Sequence, residues 1–357
     1  MEPYKRNNIS YSYISSKDIT KLLLDAREIY GEYKGFLKTM EFDYKHFLEL
    51  MLINDNFYSF KIDNSKLSID DMFYMPYKIK SNESLIFNNM HKVLLHAVAY
   101  FAKDKITIDT LNKMHKLMYL GCKKEANIKK CGHIRDNQTY ILKPGIAGSS
   151  VSFIPPEPKN VSKLLKNLIE YTNTSEDPIV LSSIFHMEFE RIHPYKTGNG
   201  KIGRLLIPAM YSVLKKEPPI LFISESLYNL RNTYFTLLSN ETEDDHIIFL
   251  KFILQCIVEQ CNANIKKIKK LNKIYKNDYE ALKNDIGGTT IYKVYPSIVK
   301  RIVFTTNDII QDTSLHINSV NKVLNKLVEA KYLTKEKKKG TNRVTFRYNN
   351  MYDVFTK

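Results

Sequence analysis

The sequence predicts a mainly α-helical protein that contains a β-hairpin near its middle and ends in a small domain of helices followed by a second hairpin. Apolar residues recur at steps of three and four along most of the chain, which is typical of helices packed on one face. Two β-prone segments enclose a glycine-containing loop between residues 131 and 158, and two more lie after residue 330. With 357 residues, 43% hydrophobic and 26% charged, the chain has the composition of a folded globular protein rather than a disordered chain or a coiled coil.

The first predicted helix covers residues 18–36, where Ile19, Leu22, Leu23 and Ala26 recur at helical spacing. The same periodicity predicts eight further helices before residue 284. They cover residues 43–56, 86–102, 109–119, 161–171, 178–192, 202–215, 228–238 and 244–270.

The predicted hairpin lies between the predicted helices at residues 109–119 and 161–171. Its strands are residues 139–142 and 151–154, joined by a loop that contains Gly145 and Gly148. Pro155 and Pro156 end it, because proline cannot donate a hydrogen bond to a strand ladder.

Residues 285–357 have the order of elements of a winged-helix domain, after a predicted hinge at Gly287 and Gly288. Short helices at residues 295–304, 306–313 and 317–330 precede β-prone segments at 332–334 and 344–348. In a DNA complex the third helix would offer Asn318, Asn321, Lys322 and Asn325 to the bases, and the wing would offer Lys337, Lys338, Lys339 and Arg343 to phosphates. Winged helices also serve as dimerisation or protein-docking modules, so both alternatives stay open.

The charge distribution also indicates a polyanion partner at the C-terminal end. The net charge is +16, and residues 251–357 hold 21 Lys and Arg against 9 Asp and Glu, so 12 of those 16 charges lie in the last 107 residues. Nucleic acid is the first candidate, and a generally lysine-rich composition is the alternative.

The cysteines and the apolar stretches exclude other classes. Cys122, Cys131, Cys256 and Cys261 contain no C-x-x-C pair, so a zinc site is not expected. The N-terminus lacks an apolar signal-peptide core, and the most apolar stretch, residues 247–258, is too short to span a bilayer. We therefore expect a cytoplasmic protein without a membrane segment.

The densest cluster of unusual residues runs from His193 to Arg204 and reads HPYKTGNGKIGR. Gly198-Asn199-Gly200 allows backbone N–H groups to form an anion nest at the start of the next helix, where Lys201 and Arg204 share a face. His193 begins the run and has the ordinary pKa of a general base, about 6.5. Taken singly, the histidine is as well explained by a structural role and the turn by a plain helix connector.

The run resembles the active-site motif of Fic (Fido-fold) proteins, H-x-F-x-[D/E]-G-N-G-R-x-x-R. The matching residues are His193, Gly198, Asn199, Gly200 and Arg204, and Tyr195 stands where the motif has phenylalanine. The resemblance extends to the preceding segment 186–192, to residues 224–234, and to Gly132-x-x-Arg135 with the hairpin, which is similar to the family's substrate-docking flap. It implies a Fido-fold helical core with a hairpin flap.

The resemblance implies transfer of a nucleotide monophosphate, usually AMP from ATP with Mg²⁺ or Mn²⁺, to a Ser, Thr or Tyr hydroxyl of a protein, the chain itself included. His193 would be the general base. Gly198, Asn199 and Gly200 would hold the α- and β-phosphates, Lys201 would contact phosphate, and Arg204 would face the γ-phosphate. Tyr140 and Ile141 would pair by backbone with the target segment.

Two positions depart from the motif. Thr197 stands at the acidic position that ligates Mg²⁺ in the family, and its neutral hydroxyl supplies no charge. Lys201 stands at the first arginine position, where it keeps the charge and loses the planar fork. We expect weaker binding of metal and nucleotide, hence a slow, altered or degenerate enzyme.

Family members are often inhibited by a helix with the pattern [S/T]-x-x-x-E-[G/N], whose glutamate pairs with the second arginine of the motif. Ser59, Asp63 and Asn64 have this spacing, with aspartate in place of glutamate. Because aspartate is one methylene shorter, we expect either a weaker Asp63–Arg204 pair or a closer helix. The alternative is an ordinary helix end with Asn64 as its cap.

These observations predict three regions: an N-terminal helical region with the inhibitory helix at 1–85, a Fic catalytic core at 86–284 and a winged helix at 285–357. The leading hypothesis is an autoinhibited protein adenylyltransferase. The alternative is a catalytically weak Fic core that senses nucleotide within a DNA-binding regulator. A homodimer is compatible with both.

Overall fold

The computed structural model of the protein describes residues 4, 17–78, 81–123, 130–142, 151–173, 177–242, 244–285, 289–337 and 343–357. It is mainly helical, so the predicted fold class is confirmed. The helices are α1 Lys17–Lys38, α2 Tyr44–Ile62, α3 Asn82–Asp104, α4 Ile108–Met118, α5 Pro158–Tyr171, α6 Pro178–Ile192, α7 Asn199–Lys215, α8 Ser224–Asn229, α9 Arg231–Ser239, α10 Asp245–Asp285, α11 Thr290–Arg301, α12 Thr306–Thr313, α13 Ile317–Glu329 and α14 Asn349–Thr356. The strands are β1 Ile141–Leu142, β2 Val151–Phe153, β3 Val303–Phe304, β4 Leu333–Glu336 and β5 Thr345–Tyr348.

The chain forms two compact units, which are interleaved along the sequence. The first comprises Met1–Arg27, Tyr58–Lys66 and Leu85–Gln260, and the second comprises Glu28–Phe57, Leu67–Ser84 and Cys261–Lys357.

The first unit is built around α6 and α7, which pack against each other. The Asp177 carboxylate caps α6 by accepting from the Ile179 N–H at 2.8 Å, and Pro178 occupies the first turn, where no N–H is needed. Every residue of α6 from Ile179 to Ile192 is buried. A helix buried on all faces has to find partners for its charged residues, because an isolated buried charge is costly.

Two of the three charged residues of α6 have such partners. Arg191 pairs with Asp245 at 2.7 Å and donates to the Leu238 carbonyl at 3.1 Å. Glu188 accepts from the Tyr4 hydroxyl at 2.7 Å and lies 2.7 Å from the His246 imidazole. The third, Glu190, belongs to the site described below.

The hairpin of the first unit is present but short. β1 and β2 are antiparallel, with Ile141 opposite Phe153. The chain then leaves the sheet before Pro155, as predicted. The predicted loop glycines, Gly145 and Gly148, lie outside the described residues.

Two predicted helices differ from the structure. The predicted helix at 228–238 is two helices, α8 and α9, which meet at Leu230. Helix α2 continues past residue 56 and ends at Ile62. Two residues later, Asn64 adopts a left-handed φ of +63°. The extension matters because it carries Ser59 to the edge of the functional site.

The second unit contains α11–α13 and a three-stranded sheet in the order β3-β5-β4. Helix α13 buries Val320, Val323, Leu324 and Leu327, the predicted apolar stripe. The Thr305 hydroxyl and the Asp308 carboxylate form a capping box at the start of α12.

The predicted helix at 295–304 is wrong at its end. Helix α11 stops at Arg301, Ile302 turns the chain with a φ of +60°, and residues 303–304 form β3 against Arg347 and Phe346 of β5. Val303 and Phe304 are β-prone and lie buried in that sheet, which outweighs the helical spacing. Helix α14 was not predicted.

Several predicted positions of this region lie outside the described residues, namely Gly287, Gly288, Lys338 and Lys339. Within the described parts of the chain, none of the helices has the length and apolarity needed to cross a membrane.

Candidate active site

A cavity of about 400 Å³ is lined by the α6–α7 loop, the end of α2 and the hairpin, all in the first unit. It brings together most of the residues that the sequence singled out. They are His193, Thr197, Gly198, Asn199, Gly200, Lys201, Arg204, Asp63 and Ile141. Tyr140 precedes β1 and is 58% exposed.

The loop needs its glycines because neighbouring groups come very close. Gly198 has a φ of +79°, and a Cβ there would lie 2.6 Å from the Met118 methyl and from the Tyr119 hydroxyl. A Cβ on Gly200 would lie 2.7 Å from the guanidinium of Arg204. Both glycines therefore allow the start of α7 to lie against the cavity.

Asn199 holds this loop in shape with its side chain. Its amide oxygen accepts from the Tyr195 N–H at 2.8 Å, and its amide nitrogen donates to the Tyr195 carbonyl at 2.7 Å. The Asn199 side chain therefore acts within the loop and leaves its backbone N–H at the start of α7. The first N–H groups of α7 have no carbonyl within the helix to bond, which makes this end of the cavity suited to an anion.

His193 lines the cavity as a neutral imidazole. Burial lowers its pKa to about 4. Its Nδ1 lies 3.2 Å from the Glu190 carbonyl, which can only accept, so the proton sits on Nδ1 and Nε2 keeps a lone pair. A histidine in this state can take a proton from a bound hydroxyl.

Two residues outside the loop fix its position. The Arg135 guanidinium donates to the carbonyls of His193 at 2.8 Å and Pro156 at 2.5 Å, and so joins the α6–α7 loop to the segment that follows the hairpin. The His115 ring stacks on Tyr195, and its Nδ1 accepts a hydrogen bond from the Gly132 N–H at 2.8 Å. The proton of this neutral ring is therefore on Nε2, which donates it to the Thr197 carbonyl at 2.9 Å.

Asp63 bridges two cations near the start of α7, Lys201 and Arg204. Its carboxylate lies 2.8 Å from Arg204 and 2.6 Å from Lys201, one oxygen to each. Burial opposes ionisation of Asp63, but the two cations outweigh it and hold its pKa at about 2. The pair with Arg204 has an ordinary hydrogen-bond length despite the shorter side chain, and the contact with Lys201 was not predicted.

The other two residues of the predicted inhibitory pattern also form contacts. Ser59 accepts from the Arg204 Nε through its hydroxyl and from Nη2 through its carbonyl, both at 2.9 Å. Arg231, at the start of α9, donates to the Ile62 carbonyl at 2.9 Å and to the Asn64 side chain at 2.6 Å. The end of α2 is thus held by arginines from both α7 and α9.

Glu190 is the other acid that lines the cavity. It is 8% exposed, burial raises its pKa to about 7, and its Oε1 has no hydrogen-bond partner. Among the described residues, no group of three or more His, Cys, Asp and Glu is placed to hold a metal ion. A divalent cation here would therefore need ligands from a bound phosphate as well as from the protein.

Comparisons with known proteins indicate the family of the core. Residues 105–211, from the end of α3 to α7, match the Fic/DOC family. The chain contains a Fic/DOC domain. The resemblance noted from residues 193–204 is therefore confirmed.

Curated relatives are named as protein adenylyltransferases. Protein adenylyltransferase fic-1 of Caenorhabditis elegans is 27% identical over 154 residues, which are 42% of this chain and 27% of that protein. Probable protein adenylyltransferase aq_aa38 of Aquifex aeolicus is 25% identical over 170 residues, 46% of this chain and 49% of that protein. The matches thus span about half or less of these relatives.

Two solved structures share the fold. A Fic family protein from Desulfovibrio desulfuricans has a TM-score of 0.58 and 20% identity over 94% of this chain and 97% of that one. A Fic domain containing signaling protein from Bacteroides thetaiotaomicron has a TM-score of 0.54 and 16% identity over 69% of this chain and 97% of that one.

Sequence reasoning missed the roles of His115, Arg231 and Glu190. The first two act through contacts 82 and 167 residues away, for which the sequence gives no local signal. Glu190 did leave one: it lies three residues before His193, about one helical turn away.

Proposed function

We propose that this protein transfers AMP from ATP to the hydroxyl of a Ser, Thr or Tyr residue of a protein, and that Asp63 holds the site in an inhibited state. The observation that carries the proposal is a single cavity lined by a neutral histidine, a helix N-terminus and two cations. The names of the relatives support this chemistry, at 25–27% identity over less than half of the chain.

In this mechanism the α7 N-terminus and Lys201 bind the phosphates, and Arg204 binds the terminal one once Asp63 has left. His193 Nε2 removes the proton from the target hydroxyl as its oxygen attacks the α-phosphorus, and the bond to the β-phosphate oxygen breaks to release pyrophosphate. The backbone of Ile141 would align the target segment beside β1.

A divalent cation would neutralise charge on the phosphates. Two residues that line the cavity carry suitable oxygen donors, Thr197 with its hydroxyl and Glu190 with a carboxylate whose Oε1 has no hydrogen-bond partner, and they fit a hard cation that also binds phosphate oxygens. These two residues would hold it.

The proposed inhibition follows from the two ion pairs of Asp63. A carboxylate between Arg204 and Lys201 occupies both cations and places a negative charge where a terminal phosphate would bind. The contact is made within one chain, so it does not require a second copy. A dimer and a cytoplasmic location stay predictions from the sequence.

The proposed transfer is tested with ATP labelled either at the α- or at the γ-phosphate, using the full chain with Asp63→Gly. We expect the α-label on protein and no γ-label, and loss of the α-label with Asp63→Gly/His193→Ala. Transfer of the γ-label would indicate a kinase-type reaction instead, and labelling that survives His193→Ala would contradict the role of His193. Competition with unlabelled GTP, CTP and UTP identifies the base.

For the second unit we propose DNA binding through a winged helix formed by α11–α13, β4 and β5. The supporting observation is the exposed face of α13, which carries Asn318, Lys322, Asn325 and Lys326 and a single acid, Glu329. Asn321 is half-buried and lies 3.3 Å from the Thr306 hydroxyl, which makes it a poorer candidate for contacting bases.

Salt dependence tests this second proposal. Binding of a fluorescent 20-base-pair duplex should weaken steeply between 50 and 200 mM salt, and Lys322→Ala should reduce the slope of log affinity against log salt by about one. Glu329→Gln, on the same helix, is the control that should not weaken binding. Absence of binding at low salt would exclude a DNA role and leave protein docking.

A further inference from the structure

We infer that Glu190, on α6, supplies the carboxylate ligand of the divalent cation that accompanies the nucleotide, in place of the acid that the α6–α7 loop lacks. The inference rests on the proposed nucleotide transfer and names the metal ligand of the same site. The α6–α7 loop offers no carboxylate to a cation, because Thr197 brings only a hydroxyl to the cavity. Mg²⁺ sites beside phosphates normally use one or two carboxylates.

Only two acids line the described cavity, Asp63 and Glu190. Asp63 is fully engaged, because each of its carboxylate oxygens pairs with one cation of α7. In the proposed mechanism it also leaves the cavity when the phosphates enter. Glu190 is therefore the carboxylate that stays beside a bound nucleotide.

The hydrogen bonding of Glu190 sets it apart from its neighbour on α6. Glu188 accepts hydrogen bonds from Tyr4 and lies against His246, as a buried structural acid should. Glu190 is also buried, yet its Oε1 has no partner in the described structure. A buried carboxylate oxygen without a partner is costly, and a cation would remove that cost if the side chain turned towards the cavity that Glu190 lines.

The position of this carboxylate is next to the phosphate-binding helix. A Cβ built on Gly203 of α7 would lie 2.1 Å from Glu190 Oε1, so the carboxylate fits there only because residue 203 has no side chain. Gly203 lies between Lys201 and Arg204, the two residues proposed to bind phosphate. A cation held by Glu190 would thus lie beside the phosphates that complete its shell.

The test measures metal binding rather than turnover. Full-length protein with Asp63→Gly is mixed with α,β-methylene ATP, which cannot transfer AMP, and free Mn²⁺ is followed by electron paramagnetic resonance at pH 8, above the pKa of Glu190. The variants added to this background are Glu190→Gln, the matched control Glu188→Gln on the same helix, and Thr197→Ala. Melting curves confirm that each variant folds.

We expect Glu190→Gln to weaken Mn²⁺ binding at least about ten-fold, since even residues behind metal ligands contribute about 10–100-fold. Glu188→Gln should change it less than about three-fold, Thr197→Ala should weaken it less than Glu190→Gln does, and Thr197→Asp should restore binding to Glu190→Gln. If Glu190→Gln does not fold, Glu190→Asp replaces it, with weaker Mn²⁺ binding expected from the shorter side chain.

Two results would overturn the inference. One is a loss of Mn²⁺ binding with Thr197→Ala and none with Glu190→Gln, which would make the loop hydroxyl the main protein ligand. The other is nucleotide binding that Mn²⁺ does not accompany, which refutes the metal role of Glu190 and leaves the proposed transfer standing. If the nucleotide itself does not bind to the Asp63→Gly protein, the proposed nucleotide transfer is refuted, and the inference about Glu190 is refuted with it.

Discussion

Replacing Asp63 with glycine should raise labelling by α-labelled ATP by about 30-fold, because it removes both ion pairs that close the cavity. Arg204 and Lys201 hold the pKa of Asp63 at about 2, against an ordinary value of 3.8. That difference corresponds to about 2 kcal/mol of net stabilisation of the ionised carboxylate, after burial has opposed it. If an uncharged residue 63 favours neither the open nor the closed site, about 2 kcal/mol leaves roughly one molecule in 30 open, so loss of the charge gives about that factor.

The assay compares initial rates of label incorporation in wild type, Asp63→Gly and Asp63→Asn at a nucleotide concentration below saturation. Asp63→Asn removes the charge and keeps the size of the side chain, so an equal gain in both variants assigns the effect to charge. Glu49→Gln removes an exposed acid from the same helix and should leave the rate unchanged. Rates for Asp63→Gly within two-fold of wild type, with nucleotide bound equally well, would refute inhibition by Asp63.

Three further predictions follow from the same contacts. Arg231→Gln frees the Ile62 carbonyl and Asn64, and should raise labelling several-fold but less than Asp63→Gly does; a decrease would mean that Arg231 serves the nucleotide instead. The pKa of Asp63 is lower in the folded state, so its stabilisation of about 2 kcal/mol is complete above about pH 4 and is lost as the pH falls towards 2. Urea unfolding of wild type and Asp63→Asn should therefore differ at pH 6 and converge near pH 2. In Gly198→Ala the new residue has to adopt a φ of +79°, and its Cβ would lie 2.6 Å from Met118 and Tyr119. Thermal unfolding should therefore show a decrease of about 1–3 kcal/mol in the free energy of unfolding. The control Gly31→Ala, whose Cβ would have no atom within 4 Å, should show no such decrease.

The sequence predicted well wherever the determinant was local. Periodic apolar positions placed α6 at its observed ends, because Asp177 and Pro178 start that helix and His193 ends it in a left-handed conformation. The prediction from sequence failed where a local preference for helix competed with pairing to a strand far along the chain. Residues 302–304 have helical spacing, and β5, some 40 residues later, draws Val303 and Phe304 into a sheet.

The site divides in the same way. The Gly198–Gly200 turn and the pair Lys201 and Arg204 follow from spacing alone, since the helix that starts there fixes their geometry. The contact of Asp63 with Arg204 crosses 141 residues, and only the resemblance to a family suggested it. Its second contact, with Lys201, had no precedent in the motif, because the motif has arginine there.

The two departures near α7, Lys201 for arginine and Asp63 for glutamate, lie at the two ends of one contact. The Lys201 ammonium is a compact charge that meets one carboxylate oxygen while also lying 4.6 Å from the Phe60 ring centre. Changing Lys201 to arginine would therefore alter phosphate binding and inhibition together. Restoring the family motif with Thr197→Asp and Lys201→Arg distinguishes an enzyme from a nucleotide sensor only with Asp63→Gly present. In the Asp63→Gly background, increased labelling reports catalysis alone and indicates an enzyme. No increase in labelling, while nucleotide still binds, favours a nucleotide sensor.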